Sequence, residues 1–266
     1  MNGPVTRRAF LVGALGAAGV GWIWLRDRGL TTDAAQAPLT TPPTTVPATV
    51  SPPTTAATTT TTAAPTTATV APAVRIEALC RDSWRAAAPT GRFVDHTVER
   101  MTVHHTARRL RENRDAPAAI RGHQRFHQTD RGWADIAYHF IIDLEGNVYE
   151  CRPVTAVGDT ATNYDPTGHF LVCCEGDFDS QKLPAAQRTA LVNVLAWASA
   201  EFGAAPDTIR GHRDLAATSC PGDNLYPLID TGDLSRAVEE AVAAGGATME
   251  ILCGAAAADR VAAIET

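Results

Sequence analysis

A short polar segment, GHRDLAATSCPG at residues 211–222, carries a histidine and a cysteine eight positions apart. Zinc binds imidazole nitrogen and thiolate sulfur, and a catalytic zinc site takes three protein ligands and keeps a fourth position for water. His212 and Cys220 could be two such ligands. Their spacing alone equally allows a disulfide cysteine beside an unrelated histidine. The sequence Cys220-Pro221-Gly222-Asp223, with proline second and glycine third, predicts a type II turn that would hold the thiol.

Two histidine pairs are further candidates. His104 and His105 end a strand-like segment, RMTVHHT, and alternation along a strand sends them to opposite faces, so at most one can join a given site. His123 and His127 have the i, i+4 spacing of a zinc-binding helical pair, but Gln124 stands where a metalloprotease needs glutamate. The second pair is therefore read as an ordinary helix face, one of whose histidines could line a cleft.

The pattern around these residues predicts interleaved strands and helices. The predicted strands are residues 100–106, 138–142, 148–152, 169–174 and 208–210. The predicted helices are residues 115–128, capped by Asp115, 184–202, ended by Gly203, and 234–244. The turn LEGN joins the second and third strands into a hairpin. This interleaving favours one α/β domain with a mixed sheet.

The N-terminal residues 1–37 are typical of an export signal. Arg7 and Arg8 precede an apolar run from Phe10 to Leu25, which indicates the twin-arginine route. A retained membrane anchor is the alternative, but the run is shorter than the roughly 20 residues of a membrane span. Residues 35–37, Ala-Gln-Ala, offer a cleavage site. We expect export to the cell envelope or beyond, with anchoring only if the signal is retained.

Composition divides the rest of the chain. Residues 38–74 form a Thr/Pro/Ala-rich linker without charge or aromatic side chains before Val74, and we expect it to be a disordered tether. Residues 75–244 form the predicted domain, and the Ala-rich residues 245–266 are an extension without an assigned role. The net charge of −6 argues against nucleic-acid binding, which needs clustered Lys and Arg. We expect a monomer without a membrane span beyond the signal.

Six cysteines leave the disulfide pairing open. Cys173 and Cys174 are adjacent in a predicted strand, so their side chains point to opposite faces and cannot easily bond each other. If Cys220 binds a metal, an odd number of cysteines remains. At least one other thiol is then free or intermolecular.

Four motifs in order carry a family resemblance: TVHHTA, GWADIAYHFIIDLEGNVYECR, HFLVCCEGDF and GHRDLAATSCPGDNLYPLI. From about Trp84 to about Val238 the chain resembles the peptidoglycan recognition protein and type 2 N-acetylmuramoyl-L-alanine amidase family, which includes the phage lysozyme-type amidases. The resemblance implies a central mixed β-sheet flanked by helices, with a zinc cleft on one face. It also implies one Zn²⁺ per chain, peptidoglycan or muropeptides as partners, and hydrolysis of the amide between N-acetylmuramic acid and L-alanine.

The resemblance also assigns roles to individual residues. The family's zinc ligands fall on His104, His212 and Cys220, its active-site tyrosine falls on Tyr138, and its residue two positions before the cysteine falls on Thr218. A phenol with an ordinary pKa of about 10 serves better as a hydrogen-bond donor or water orienter than as a base. Thr218 would add one neutral hydrogen bond. Members that only bind peptidoglycan usually lack the cysteine, so Cys220 favours an enzyme.

A last match concerns specificity. Gly132 and Trp133, with Arg152 nineteen positions after Trp133, resemble the members that prefer meso-diaminopimelate stem peptides. An arginine can grip the extra carboxylate of that residue with two parallel hydrogen bonds. Core packing of Trp133 and a surface ion pair of Arg152 are the alternatives. The chain departs from the family at residues 157–160, which lack a common histidine, and at His169.

Two other functions compete with the amidase. One is a non-catalytic peptidoglycan-binding module or sensor. The other is a structural envelope protein in which His104, His212 and Cys220 bind zinc only for stability. The complete ligand set together with Tyr138 favours the enzyme.

Overall fold

The apolar and β-branched runs form one seven-stranded sheet in the computed structural model, which describes residues 73–266. The strands are β1 (Val74–Leu79), β2 (Arg100–His105), β3 (Phe140–Ile142), β4 (Val148–Glu150), β5 (His169–Cys174), β6 (Arg210–Gly211) and β7 (Ala247–Leu252). Their spatial order is β6-β2-β5-β3-β4-β1-β7. Only the β3–β4 hairpin is antiparallel, and the other neighbours are parallel. The predicted mixed sheet is confirmed.

Helices cover both faces of this sheet. They are α1 (Ala116–Thr129), α2 (Ala185–Phe202), α3 (Pro227–Asp230), α4 (Asp233–Ala243) and α5 (Gly254–Ile264). Residues of α2 and α4 pack in one hydrophobic cluster with the sheet, and residues of α1 and α5 pack in another. Gly203 ends α2 in the left-handed region, as predicted. Asp115 precedes α1 but makes no side-chain capping bond, so that part of the prediction is wrong.

The short segment before His212 also differs from the prediction. A 3-10 helix occupies Pro206–Thr208, and the hydroxyl of Thr208 donates a hydrogen bond to the Ala205 carbonyl at 2.6 Å. β6 therefore starts only at Arg210. The strand is therefore two residues long and ends at Gly211, directly before His212. A second 3-10 helix, His212–Asp214, then begins with the candidate ligand.

The pleat of β2 decides which histidine faces which side. Met101 and Val103 belong to the hydrophobic cluster under α2 and α4. Because alternate residues of a strand face the same side of the sheet, His105 points to that side as well. His104 therefore points to the opposite face, where α1 and α5 pack. Its register partner on β5 is Cys173, a member of the cluster under α1 and α5, whereas Cys174 belongs to the other cluster. The predicted separation of His104 from His105 is confirmed, and Cys173 and Cys174 are not bonded to each other.

The C-terminal extension is part of the same sheet. β7 pairs with β1 along its whole length, from Val74–Ala247 to Leu79–Leu252. α5 buries Ala257 and Val261 beside α1, and a disulfide joins Cys80 to Cys253. The other four cysteines, Cys151, Cys173, Cys174 and Cys220, are free and buried. Residues 245–266, which composition left unassigned, thus supply an edge strand and a covering helix.

The predicted export signal, residues 1–37, and all but the last two residues of the predicted linker lie outside the described residues. Within residues 73–266, no helix combines the length and the apolar character that crossing a membrane requires.

Candidate metal centre and adjoining cleft

The sheet itself brings His104 and His212 together. β2 and β6 are neighbours, and their register pairs Val103 with Gly211. The residues that follow this pair are His104 and His212, so both leave the carboxyl end of parallel strands side by side. Their ring centroids are 4.7 Å apart, and both side chains are buried. The two histidines are far apart in the sequence, and only the pairing of β2 with β6 brings their side chains together.

A turn places the thiol of Cys220 against these rings. The N–H of Gly222 donates to the carbonyl of Ser219 at 2.8 Å, and the Cys220–Pro221 peptide is cis. The turn therefore spans residues 219–222, one residue earlier than predicted, with proline third, so the type II prediction is wrong. Gly222 has φ +96°, and a Cβ there would meet the carbonyl carbon of Phe178 at 2.4 Å. Only glycine fits that position.

The three candidate ligands form one cluster. One donor atom each from His104, His212 and Cys220 lies within 4.8 Å of the others, and Cys220 Sγ is 3.7 Å from His104 Nδ1. The backbone N–H of His105 points at Cys220 Sγ at 3.4 Å, a contact that favours a thiolate. Two imidazoles and one thiol are a donor set that zinc accepts, with a position left for water. The residues therefore fit zinc.

Each imidazole is held from outside the cluster. His212 Nε2 lies 2.8 Å from the hydroxyl of Thr162, and His104 Nε2 lies 3.5 Å from the hydroxyl of Tyr164. Ligating histidines normally donate their second ring N–H to such a partner, which fixes the tautomer and the ring orientation. These contacts leave Nδ1 of each ring for a metal, and His104 Nδ1 is the atom that faces Cys220.

Burial sets the protonation states in the cluster. It lowers the pKa of His104 well below 6.5 and that of His212 to about 4, so both rings are neutral and able to ligate. Burial raises the pKa of the Cys220 thiol to about 12. A metal ion that binds there must displace the thiol proton, which couples binding to proton release.

Tyr138 lines a cleft that the two histidines of the cluster also line. The cleft is lined by His104, His212, Tyr138, His127, Trp133 and Asp159, among others. The Tyr138 ring centroid is 5.2 Å from that of His104. Burial, followed by the nearby Cys173 and Cys220 thiols, raises the pKa of Tyr138 well above its ordinary value. Tyr138 is therefore a neutral phenol that can donate a hydrogen bond but cannot accept a proton.

Comparison with known proteins identifies the family. A family model described as N-acetylmuramoyl-L-alanine amidase matches residues 94–223. The mouse peptidoglycan recognition protein 1 is 30% identical over 159 residues, which are 59% of this chain and 87% of the relative. The chain belongs to the peptidoglycan recognition protein and N-acetylmuramoyl-L-alanine amidase family. Human N-acetylmuramoyl-L-alanine amidase is 35% identical over 164 residues, but these cover 59% of this chain and only 28% of the human protein.

Solved structures of the family share the fold. Peptidoglycan recognition protein LE, in complex with tracheal cytotoxin, has a TM-score of 0.55 and 28% identity, covering 61% of this chain and 98% of its own. Drosophila peptidoglycan recognition protein LB has a TM-score of 0.52 and 26% identity, covering 60% and 94%. Relatives of this family therefore include binders of peptidoglycan fragments as well as amidases.

Thr218, which the family resemblance assigns a hydrogen bond in the active site, lies instead beside the backbone of Cys220. Its hydroxyl accepts the backbone N–H of Cys220 at 3.2 Å, and Thr218 does not line the cleft. Asp214, two residues after His212, makes no hydrogen bond to either imidazole or to Arg213. Its carboxylate accepts the Gly211 N–H at 2.8 Å and the Tyr226 hydroxyl at 2.5 Å. Both side chains stabilise the segment that carries the ligands.

The three predicted specificity residues are neighbours, but Arg152 is already engaged. Gly132, with φ +70°, precedes Trp133, which lines the cleft and a second cavity beyond it. The Arg152 side chain is 3% exposed and pairs with Asp159. It is thus neither a surface ion pair nor a free fork for a carboxylate. Trp133 is half-buried at the junction of the two cavities rather than part of the core.

Little in the amino-acid pattern indicated the loop that carries Thr160, Thr162 and Tyr164. These residues follow β4 in a stretch without periodicity, and only the missing family histidine marked it. Gly158 lets the loop lie against the sheet, because a Cβ there would meet Leu171 Cδ1 at 2.3 Å. This close approach puts all three hydroxyls within 3.5 Å of an imidazole nitrogen.

His127 lines the cleft. The pair of His123 and His127 was predicted to be an ordinary helix face, with a role in a cleft for one of them only as the alternative. The N–H of Ala137 donates to His127 Nδ1 at 3.1 Å, and burial lowers the His127 pKa to about 3. The neutral ring therefore carries its proton on Nε2. Its centroid is 4.7 Å from that of Trp133. His123 instead pairs with buried Glu175 at 3.1 Å, so the two helical histidines share no metal site.

Proposed function

We propose that this chain is a zinc-dependent N-acetylmuramoyl-L-alanine amidase. The observation that carries the proposal is the cluster of His104, His212 and Cys220, whose two histidines line an open cleft together with Tyr138. A purely structural zinc site closes all four positions with protein ligands. Three ligands beside a cleft instead leave room for water and substrate, which supports catalysis over a stability role.

The proposed reaction is hydrolysis of one amide. Water adds to the lactyl carbonyl of N-acetylmuramic acid, the C–N bond breaks, and the products are a carboxylic acid and the free amine of L-alanine. Zinc bound at the cluster would supply a Lewis acid that acidifies water and polarises the carbonyl. His104, His212 and Cys220 would hold it, while Thr162 and Tyr164 keep the two rings oriented.

Tyr138 is proposed to act on the substrate oxygen. Its pKa is raised, so the phenol keeps its proton and donates a hydrogen bond to the carbonyl oxygen as negative charge develops there. His127, protonated on Nε2 and fixed by Ala137, offers a second neutral donor in the same cleft. The resemblance of Gly132-Trp133 to members that prefer meso-diaminopimelate supports substrates with stems of that type, whose side chain would occupy the cavity beyond Trp133.

The test is digestion of purified peptidoglycan by the zinc-loaded protein, followed by mass spectrometry. The amidase produces stem peptides with a new free L-alanine N-terminus. The Cys220→Ala variant is expected to release none. If the wild-type protein binds the wall tightly and releases no such peptide, the chain is a binding module instead. That alternative draws support from the relative that was solved with bound tracheal cytotoxin.

We also propose export by the twin-arginine route, which would bring the protein to its substrate. Arg7 and Arg8 before the apolar run support it. A variant with both arginines changed to lysine is expected to accumulate inside the cell. Equal export of that variant would contradict the proposal.

A further inference from the structure

The part of the chain that follows β2 is rich in arginine. Residues 107–131 comprise the loop after β2, the helix α1 and the turn behind it, and they contain seven arginines against the three carboxylates of Glu112, Asp115 and Asp130. The chain as a whole has a net charge of −6, so this part has the opposite sign from the rest. A local excess of one charge on a protein of the other sign directs how charged partners approach it.

Most of these arginines have no carboxylate partner. Arg114 pairs with Glu112 at 2.6 Å and Arg121 pairs with Glu265 at 2.8 Å. The other five are exposed and make no ion pair within residues 73–266, and they are Arg108, Arg109, Arg111, Arg125 and Arg131. Lys182 is likewise exposed and unpaired within these residues. We call Arg108, Arg109, Arg111, Arg125 and Lys182 the basic patch.

The turn out of β2 brings the loop against α1. Ala107 has φ +54°, and the chain changes direction there. The Arg108 side chain then lies over α1, because its Nη1 is 3.6 Å from the position that a Cβ on Gly122 would take. Arg125 follows Gly122 by three residues and shares that side of the helix. Charges from the loop and from the helix thus lie on one surface.

Gln181 holds the loop in place. The Leu110 N–H donates to Gln181 Oε1 at 3.0 Å, and Gln181 Nε2 donates to the Leu110 carbonyl at 2.7 Å. The Leu110 side chain is buried with Ala116 and Ala119. Arg109 and Arg111 flank this anchored residue, and Lys182 directly follows Gln181. A backbone that is already fixed loses less entropy when a partner binds its side chains.

Two carboxylates lie near the basic patch and leave its charge in excess. Asp115 is exposed at the start of α1 and makes no ion pair within the described residues. Asp177 accepts the Ser180 hydroxyl at 2.6 Å, which lowers its pKa, and Arg109 adds to that effect from a distance. Two negative charges near five positive ones leave a surface that attracts anions.

The basic patch extends to the wall of the cleft. Phe126 lies one helical turn after Gly122 and lines the cleft, and the Arg131 guanidinium is 5.3 Å from the centroid of its ring. A polymer with one segment in the cleft therefore passes the basic patch with its neighbouring segments. A small soluble fragment that fills the cleft alone does not.

We propose that the basic patch is a second contact surface for the polymeric cell wall and binds carboxylates of stem peptides beside the one in the cleft. A stem peptide carries free carboxylates at its end and on its diacid residues, and the guanidinium fork matches a carboxylate. The inference rests on the proposed amidase function, because that function puts the carboxylates of the wall next to the cleft. The acidic remainder of the chain is repelled by the wall, so the patch also sets the side that approaches it.

The experiment compares an insoluble with a soluble substrate. The triple variant Arg108→Gln, Arg109→Gln and Arg111→Gln is expected to bind purified peptidoglycan about tenfold more weakly at low salt, because several weak exposed ion pairs are lost together. The difference should shrink at high salt, which screens such pairs. Co-sedimentation measures the binding. Turnover of a soluble N-acetylmuramoyl tripeptide should not change.

A matched control removes the same charge elsewhere. Arg75, Arg100 and Arg236 are exposed arginines outside residues 107–131, so their triple change to glutamine should keep the wild-type affinity for the wall. Equal weakening in both triple variants would assign the effect to net charge and overturn the proposal. Unchanged wall binding by the first variant, or slower turnover of the soluble tripeptide, overturns it as well.

A second variant leaves the loop intact. Arg125→Gln with Lys182→Gln removes two charges of the basic patch from α1 and from the segment before α2, and it should weaken wall binding by a few-fold. Thermal unfolding establishes that each variant is folded. Wild-type affinity of this double variant would overturn the assignment of the patch as one surface.

Phosphate-bearing polymers attached to the wall are the other source of negative charge. Two wall preparations distinguish them, one with these polymers removed by acid and one with its carboxyl groups amidated. The deficit of the triple variant should disappear only on the amidated wall. Its disappearance on the acid-extracted wall would assign the patch to phosphate and overturn the proposal.

The amidase proposal can fail separately. If neither the wall nor the soluble tripeptide is cleaved, that proposal falls, and co-sedimentation still reports on the basic patch. Weaker sedimentation of the loop variant but not of its control then supports a charged contact surface on a binding protein.

Discussion

Thr162 Oγ1 lies 2.8 Å from His212 Nε2, so a hydroxyl from the loop after β4 holds an imidazole that follows β6. Because this contact fixes the ring and its tautomer, Thr162→Val is expected to weaken zinc binding about tenfold. Competition with a chromophoric chelator measures the affinity without reference to activity. Asn163→Ala, an exposed neighbour in the same loop, is the control. Identical affinities of Thr162→Val and wild type would show that the contact has no orienting role.

Tyr138→Phe should separate catalysis from metal binding. The substitution removes one hydroxyl beside the cluster and leaves all three ligands in place, so zinc content should not change. Loss of one donor to a developing oxyanion lowers kcat by about 10²-fold or more. Turnover of a soluble muropeptide and metal analysis of the same sample check both parts. A variant with wild-type kcat removes Tyr138 from the mechanism.

The disulfide between Cys80 and Cys253 should stabilise the C-terminal strand and helix. It joins residues 173 positions apart, and such a link contributes about 2–4 kcal/mol by restricting the unfolded chain. Cys253→Ala is therefore expected to lower the free energy of unfolding by that amount, measured in urea. Reductant should destabilise the wild type and leave the variant unaffected. Equal sensitivity of both proteins to reductant would contradict the assignment.

His139 makes stability depend on pH. Its Nδ1 accepts the Leu171 N–H at 2.9 Å and its Nε2 donates to the Ala156 carbonyl at 2.9 Å, so the buried ring must be neutral. Burial lowers its pKa in the folded protein to about 3, against an ordinary value of 6.5. The unfolded chain thus binds the proton first as pH falls below 6.5, and folding stability declines from there toward pH 3.

From pH 7.5 to pH 5, this residue alone should cost about 2 kcal/mol of unfolding free energy. His139→Gln keeps a donor and an acceptor but cannot titrate. Urea unfolding of both proteins at the two pH values should show a smaller pH-dependent loss in the variant by that amount. His127 and His169, whose pKa values are also lowered by burial, leave a residual dependence in both proteins. An unchanged loss in His139→Gln would refute the prediction.

The sequence by itself determined the central strands and helices and, through its family resemblance, the candidate ligands. Strand alternation separated His104 from His105, and β5, α2 and α4 were predicted from their apolar patterns to within one or two residues. These features depend on the spacing of apolar residues within one segment of the chain, so that segment alone is enough to predict them. The Asp115 cap was wrong because a 3-10 helix, Asn113–Asp115, runs directly into α1 and leaves Asp115 with helical backbone angles. The type II turn was wrong because the turn closes one residue earlier, between Ser219 and Gly222.

Only the tertiary structure decided what surrounds the ligands. The β2–β6 register joined His104 to His212, and the close packing of Gly158 brought Thr162 to the imidazole. The tertiary structure also pairs the Arg152 guanidinium with the Asp159 carboxylate and makes β7 an edge strand of the sheet. Each of these contacts joins backbone or side-chain groups from separate segments of the chain, which satisfy one another's charge, hydrogen bonds or packing only after folding. Residue type and spacing could therefore not reveal them.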